Sequence, residues 1–99
     1  MRLPRRLKVG RHMYSVNQLR TLRPKGVMGE VDYNAHTIKV GSHSSRTGRA
    51  FKREELDDTF WHELTHAILY EMDSSLHDNE QFVGQFSRLL TKAINSAEF

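Results

Sequence analysis

His62-Glu63-Leu64-Thr65-His66 is the stretch of this 99-residue chain whose residue types and spacing name a chemistry. Two residues four apart on an α-helix lie one above the other on the same face, so the imidazoles of His62 and His66 can address one metal ion. Glu63, one step round the helix from the first histidine, reaches a metal-activated water without being a ligand, which is what a hydrolytic general base requires. The pattern reads as a catalytic zinc centre. Catalytic zinc takes three protein ligands and keeps a fourth position for water, so one more ligand must come from elsewhere. The chain has no cysteine, which restricts that ligand to histidine or a carboxylate.

Met72 stands where a third histidine would follow in H-E-x-x-H-x-x-x-x-x-H, and Leu69 stands where the version with a glycine turn needs glycine, so both extended patterns are excluded. The downstream candidates are His77, Asp78 and Glu80, because Glu71 and Asp73 belong to the motif's own rigid helix. A tight connection from Ser74 to Asn79 folds the next helix back across the first, and a residue in its opening turn then faces the histidine pair. That geometry favours Glu80. His77, in the connecting loop, is the alternative, and Asp78 is expected to cap the second helix. The expected site is therefore His62, His66 and Glu80 as metal ligands, Glu63 as catalytic base and Zn2+ as cofactor.

Two helices must carry these groups. Residues 53–73 form the motif helix, opened by Glu54, Glu55, Asp57 and Asp58, whose charges suit the positive end of the helix dipole. Around the motif, Thr59-Phe60-Trp61 and Ala67-Ile68-Leu69 are uncharged and free of Pro and Gly; with Leu56, Leu64 and Met72 they predict a largely buried helix. Burying two histidines and a glutamate there without a partner is unfavourable, and a metal supplies one. Asp58 and Asp73 lie near the histidine stripe and are weighed as acceptors for an imidazole, with solvation the stronger expectation. The second helix follows Asp78-Asn79, with Phe82, Val83, Phe86, Leu89, Leu90, Ala93, Ile94 and Ala97 at helical spacing, a stripe expected to face the core.

The first forty residues hold no sustained helical period and read as strands. Leu7-Lys8-Val9 and Met13-Tyr14-Ser15-Val16 form a hairpin through Gly10-Arg11-His12, and Val27 to Tyr33 pairs with Thr37 to Val40 through Asn34-Ala35-His36. Asn17 to Leu22 is expected as a short helix or turn before Pro24. Gly41 to Gly48 reads as a loop and the most mobile segment. The fold class is α+β: a small antiparallel or mixed sheet packed on a central H-E-x-x-H helix and a C-terminal helix, in one domain spanning 1–99.

Composition bounds the setting. Residues 1–53 hold thirteen Lys/Arg against Glu30 and Asp32, a net +11, whereas residues 54–99 carry a net −8. The basic residues are scattered, without helical spacing or interleaved aromatics, which favours mutual neutralisation of the two halves over a nucleic-acid face. Met1 to Lys8 is basic but precedes no apolar run, no stretch approaches membrane-spanning length, and cysteine is absent; a cytoplasmic protein is expected.

These residues together resemble a small zincin, a zinc metallopeptidase of the H-E-x-x-H class, and within it the minimal gluzincins whose third ligand is a Glu on a downstream helix. The resemblance covers about residues 29–94. Gly29-x-Val31-Asp32-Tyr33 with Thr37-Ile38-x-Val40 is similar to the hairpin preceding the motif in immunity-repressor-cleaving and SprT-like peptidases, and Asn79-Glu80-Gln81-Phe82-Val83 with Phe86 and Leu89-Leu90 is similar to the following helix of the former group. The thirteen residues between His66 and Glu80 make a shorter connection than in those groups. The compactness also resembles that of phage proteins. The resemblance implies peptide-bond hydrolysis in an intracellular protein substrate, with zinc on His62, His66 and Glu80, proton transfer by Glu63, and the substrate bound as an extra strand on the second hairpin. Tyr33, Tyr70, His36 and His43 are the residues weighed for oxyanion support. A binding module with a structural or vestigial metal site, using the basic half on nucleic acid, is the alternative.

Overall fold

In the computed structural model, which describes residues 2–99, the chain runs β1 (Arg6–Val9), β2 (His12–Leu19), β3 (Gly29–Asp32), β4 (Thr37–Gly41), α1 (Arg53–Glu71), a 3-10 turn (Ser75–Asp78) and α2 (Glu80–Ser96). Met1 lies outside the described residues. The class is α+β, with a four-stranded sheet ordered β1-β2-β4-β3. β1 is antiparallel to β2, β2 parallel to β4, and β4 antiparallel to β3, so the sheet is mixed. Its parallel pair arises because the chain leaves β2 for the far edge, forms β3 there and returns as β4 in the centre.

The central strands alternate. Tyr14 and Val16 of β2 and Ile38 and Val40 of β4 point to one face and are buried, while Ser15 and Asn17 between them are exposed. α1 lies on that face, and Phe60, Leu64 and Ala67 complete the core. α2 covers the other side of α1, so the motif helix buries residues on more than one face, polar ones such as Asp57, Glu63 and His66 among them.

Three segments differ from the sequence expectation. Asn17–Leu19 extends β2 instead of turning, because Asn17, Gln18 and Leu19 pair in parallel register with Lys39, Val40 and Gly41. The Gly41–Gly48 segment is hydrogen-bonded rather than free: Ser42 and His43 donate to the carbonyls of Leu19 and Arg20, and Gly48 donates to that of Ser44. On α2 the buried residues are Val83, Ser87 and Thr91, while Phe82, Phe86, Leu89 and Ile94 are exposed. Of the apolar stripe expected to be core, Val83 is fully buried, while Phe82, Phe86, Leu89 and Ile94 border the helix pair instead. Small residues lie at the contact because polar groups of α1 need partners there: Thr91 donates to Asp58 Oδ1 at 3.2 Å, and Ser87 Oγ lies 3.4 Å from His62 Nδ1. Ile68 and Met72 of α1 are exposed beside that rim.

α1 ends at Glu71, two residues before the expected limit. Asp73 takes φ +60°, and the amides of Asp73 and Ser74 donate back to the carbonyls of Tyr70 and Leu69, the hydrogen-bond pair of a Schellman end. Ser74 Oγ then accepts from Leu76 N, and Asn79 Oδ1 accepts from Phe82 N. Of the Asp78-Asn79 pair that precedes α2, Asn79 is therefore the cap, and Asp78, the one favoured for that role, closes the 3-10 turn. These caps fix the reversal that returns Glu80 to α1.

Candidate metal centre

His62 and His66 stand one turn apart on α1, and Glu80 opens α2 directly opposite them. Glu80 Oε1 lies 3.0 Å from His62 Nε2, and its carboxylate reaches to 3.1 Å from His66 Nε2. Ligands at ordinary zinc bond lengths of about 2.0–2.2 Å stand roughly 3.4 Å apart on a tetrahedron, so three such atoms need little movement to share one ion. The side chain of His66 is 7% exposed, that of His62 26% and that of Glu80 70%. The cluster is closed on the α1 side and open beside Glu80.

The outer contacts set the imidazoles. His66 Nδ1 bonds to the main-chain carbonyl of His77, which can only accept, so Nδ1 carries a proton and a neutral ring presents the lone pair of Nε2. Nε2 faces a carboxylate oxygen of Glu80. Two acceptors at this separation require a cation between or upon them, either a proton on the imidazole or a metal ion. A borderline metal suits two imidazoles and one carboxylate. The donor set thus fits zinc, and hydrogen bonds from the far imidazole nitrogens to His77 O and Ser87 Oγ are of the kind that orient metal-binding histidines. Glu80 is held below the ordinary carboxylate range: its partial burial acts in the opposite sense, and hydrogen bonds and charge from His62 and His66 outweigh it.

Glu63 is buried beneath the pair, with no hydrogen bond to another described residue. Burial pushes its carboxyl up to about 7; nearby His66 opposes this, and the charges of Glu80 and Glu30 add to it. A carboxyl in that range can both take and return a proton near neutrality. Gly29 of β3 passes directly over it, and a Cβ at Gly29 would lie 3.2 Å from Glu63 Oε2. β3 is an edge strand, so its outer main-chain groups are unpaired by the sheet beside this carboxylate.

The structure brings together His62, Glu63, His66 and Glu80. The ring of His77, weighed against Glu80, turns away: its Nδ1 lies 3.0 Å from Ser74 O, and the residue meets the site through its carbonyl. Of the four residues weighed for oxyanion support, Tyr33 lies nearest this region. It stacks on Tyr70 at 4.2 Å, and its hydroxyl donates to His77 O at 3.3 Å; burial first, then the charges of Glu63, Asp78 and Glu80, push that hydroxyl up to about 12. His36 stacks against His12 instead, and His43 bonds Ser42. Asp58 accepts from Thr91, and Asp73 serves the helix end, so the acceptors behind the imidazoles are His77 O and Ser87 Oγ. Ser87, seven residues beyond Glu80, lies on the same face of α2, a spacing legible in the sequence; a main-chain carbonyl has no such signal. Among the described residues no helix is long and apolar enough to cross a membrane. No family model matches the chain, and neither the curated proteins nor the solved structures give a match.

Proposed function

We propose that the chain is a zinc-dependent metallopeptidase acting on an extended segment of a protein substrate. The observation that carries this reading is the convergence of His62, His66 and Glu80 around one point, with the buried Glu63 carboxylate beside it and an unpaired strand edge above. Zinc held by the three residues supplies a Lewis acid that makes water acidic near neutral pH and polarises a carbonyl. Glu63 takes the proton of the attacking water at its carboxylate and delivers it to the leaving amine nitrogen. His77 O and Ser87 Oγ keep the two imidazoles facing Glu80. The outer edge of β3 aligns the peptide through main-chain hydrogen bonds, so side-chain pockets need supply only selectivity.

The test pairs zinc counting by elemental analysis with mass-spectrometric cleavage of a peptide library. Zinc-loaded wild type is expected to cleave, and Glu63→Gln to keep its zinc while losing about 10²–10⁴-fold in rate, the usual contribution of general acid–base catalysis. Glu80→Ala is expected to lose the zinc bound at His62 and His66, and His77→Ala to retain it. Undiminished cleavage by Glu63→Gln, or a wild-type chain that takes up no zinc at His62 and His66, would sink the reading.

A further inference from the structure

A second constellation lies at the C-terminal end of α1. His12 is the first residue of β2, His36 sits in the β3–β4 turn, and Glu71 is the last residue of α1. His12 Nδ1 lies 2.9 Å from Glu71 Oε1, and one ligand atom from each of the three residues falls within 4.8 Å of the others. The rings of His12 and His36 stack with centroids 4.1 Å apart. His36 has φ +51°, a left-handed conformation uncommon for a side-chain-bearing residue. Glu71 is neither exposed nor free: its side chain is only 10% exposed, and the fully buried Tyr14 donates to Oε2 at 2.7 Å. Gly10 of the β1–β2 turn, at φ +61°, packs its Cα against the stem of Glu71, where an added Cβ would lie 3.4 Å from Glu71 Cβ.

We propose that His12, His36 and Glu71 form a second metal site that takes a zinc-class divalent ion and pins the β1–β2 and β3–β4 turns to the end of α1. Two imidazoles and one carboxylate are the donors that suit Zn2+, Co2+, Ni2+ or Cu2+ rather than Ca2+ or Mg2+, which take mainly oxygen. Tyr14 supplies the outer hydrogen bond that orients the ligating carboxylate. The ligands come from three segments distant in sequence, and the half-exposed His12 leaves an entry path. The site is separate from the first. Glu71 follows His66 by five residues, roughly 7.5 Å along the axis, and points to a different side of the helix.

The test uses the untagged full-length chain, stripped with a chelator, dialysed against zinc chloride and analysed for zinc per chain. His12→Ala and His36→Ala are each expected to lower the count by one equivalent, and His62→Ala to leave that equivalent in place. If the wild type holds two ions, the count falls to one; if the His62 centre holds none, it falls from one to zero, so the two readings fail separately. His12 is exposed enough that its removal leaves the core intact, which circular dichroism checks. Zinc content unchanged by His12→Ala in a folded chain overturns the proposal, because a mere ion pair with Glu71 alters stability without altering the count.

Discussion

Gly29 governs how closely the free edge strand approaches Glu63. A Cβ there would stand 2.7 Å from Thr59 Cγ2, closer than real Cβ contacts come, and 3.0 Å from Glu63 Cγ, tighter than most. Gly29→Ala is therefore expected to destabilise the chain by about 1–3 kcal/mol through overpacking. It also shifts Glu63, and a displacement near 1 Å at a reacting group can cost about 10²-fold in rate. Zinc content should not change, since Glu63 is not among the three ligand residues. Thr59→Ser removes the Cγ2 methyl while keeping the hydroxyl that donates to Glu55 O at 3.0 Å, so Gly29→Ala/Thr59→Ser should recover part of both losses. Peptide cleavage and thermal unfolding of the single and double variants decide it; full activity in Gly29→Ala would show that β3 does not constrain the base. The residues of the H-E-x-x-H stretch were legible because helical spacing alone fixes their relation. Gly29 and the His77 carbonyl were not, because their roles depend on how separate elements pack.

The start of α1 is held by one acidic side chain. Glu55 Oε1 accepts from Lys52 N at 2.8 Å, and both its oxygens accept from the Arg49 guanidinium at 3.1 Å. This arrangement ties the end of the Gly41–Gly48 turn region to the helix that carries the histidines. The Arg49 hydrogen bonds, followed by that from Lys52, hold the Glu55 carboxyl down at about 2, against a small opposing effect of burial. A carboxyl depressed in the folded state contributes stability that is present above its unfolded value and disappears as pH falls through the folded one. Wild type should thus exceed Glu55→Gln in urea midpoint by a constant margin above about pH 5, with the margin shrinking below the ordinary glutamate value of 4.5 and gone near 2. A margin independent of pH across that window would remove the ionised Glu55 from the account. At this scale the sequence revealed which segments are helices but not their rotation. The stripe of Phe82, Phe86, Leu89 and Ile94 predicted α2, yet α2 turns Val83, Ser87 and Thr91 inward, because His62 and Asp58 on α1 require polar neighbours. Periodicity measures amphipathicity; it does not say which neighbour wins.

Across the whole molecule the charge division follows the layers. The thirteen basic residues of the first half lie mainly on the strands and turns and are exposed apart from the partly covered Lys39, while the acids gather on the helices that bear the site. The α+β class was readable because strand alternation and helical spacing occupy separate halves of the chain; the parallel β2–β4 pairing was not, since it depends on β3 taking the far edge. In the proposed enzyme the metal joins α1 to the start of α2, closing the connection through Ser74–Asn79 that no apolar cluster buries. An ion that binds only the folded chain stabilises it by mass action, about 2.7 kcal/mol when free zinc is 100 times the dissociation constant. For a domain of this size each kcal/mol moves the unfolding midpoint by about 4–8 °C, so chelation should lower it by roughly 10–20 °C. The measurement belongs in the His12→Ala chain, where only the His62–His66–Glu80 centre can report. There, excess EDTA should produce the drop and added zinc should restore it, while His12→Ala/His62→Ala should unfold at the same temperature with either. A midpoint indifferent to zinc in His12→Ala would mean that the two helices are held together by their packing alone, and that Glu80 meets the histidines only as an ion pair.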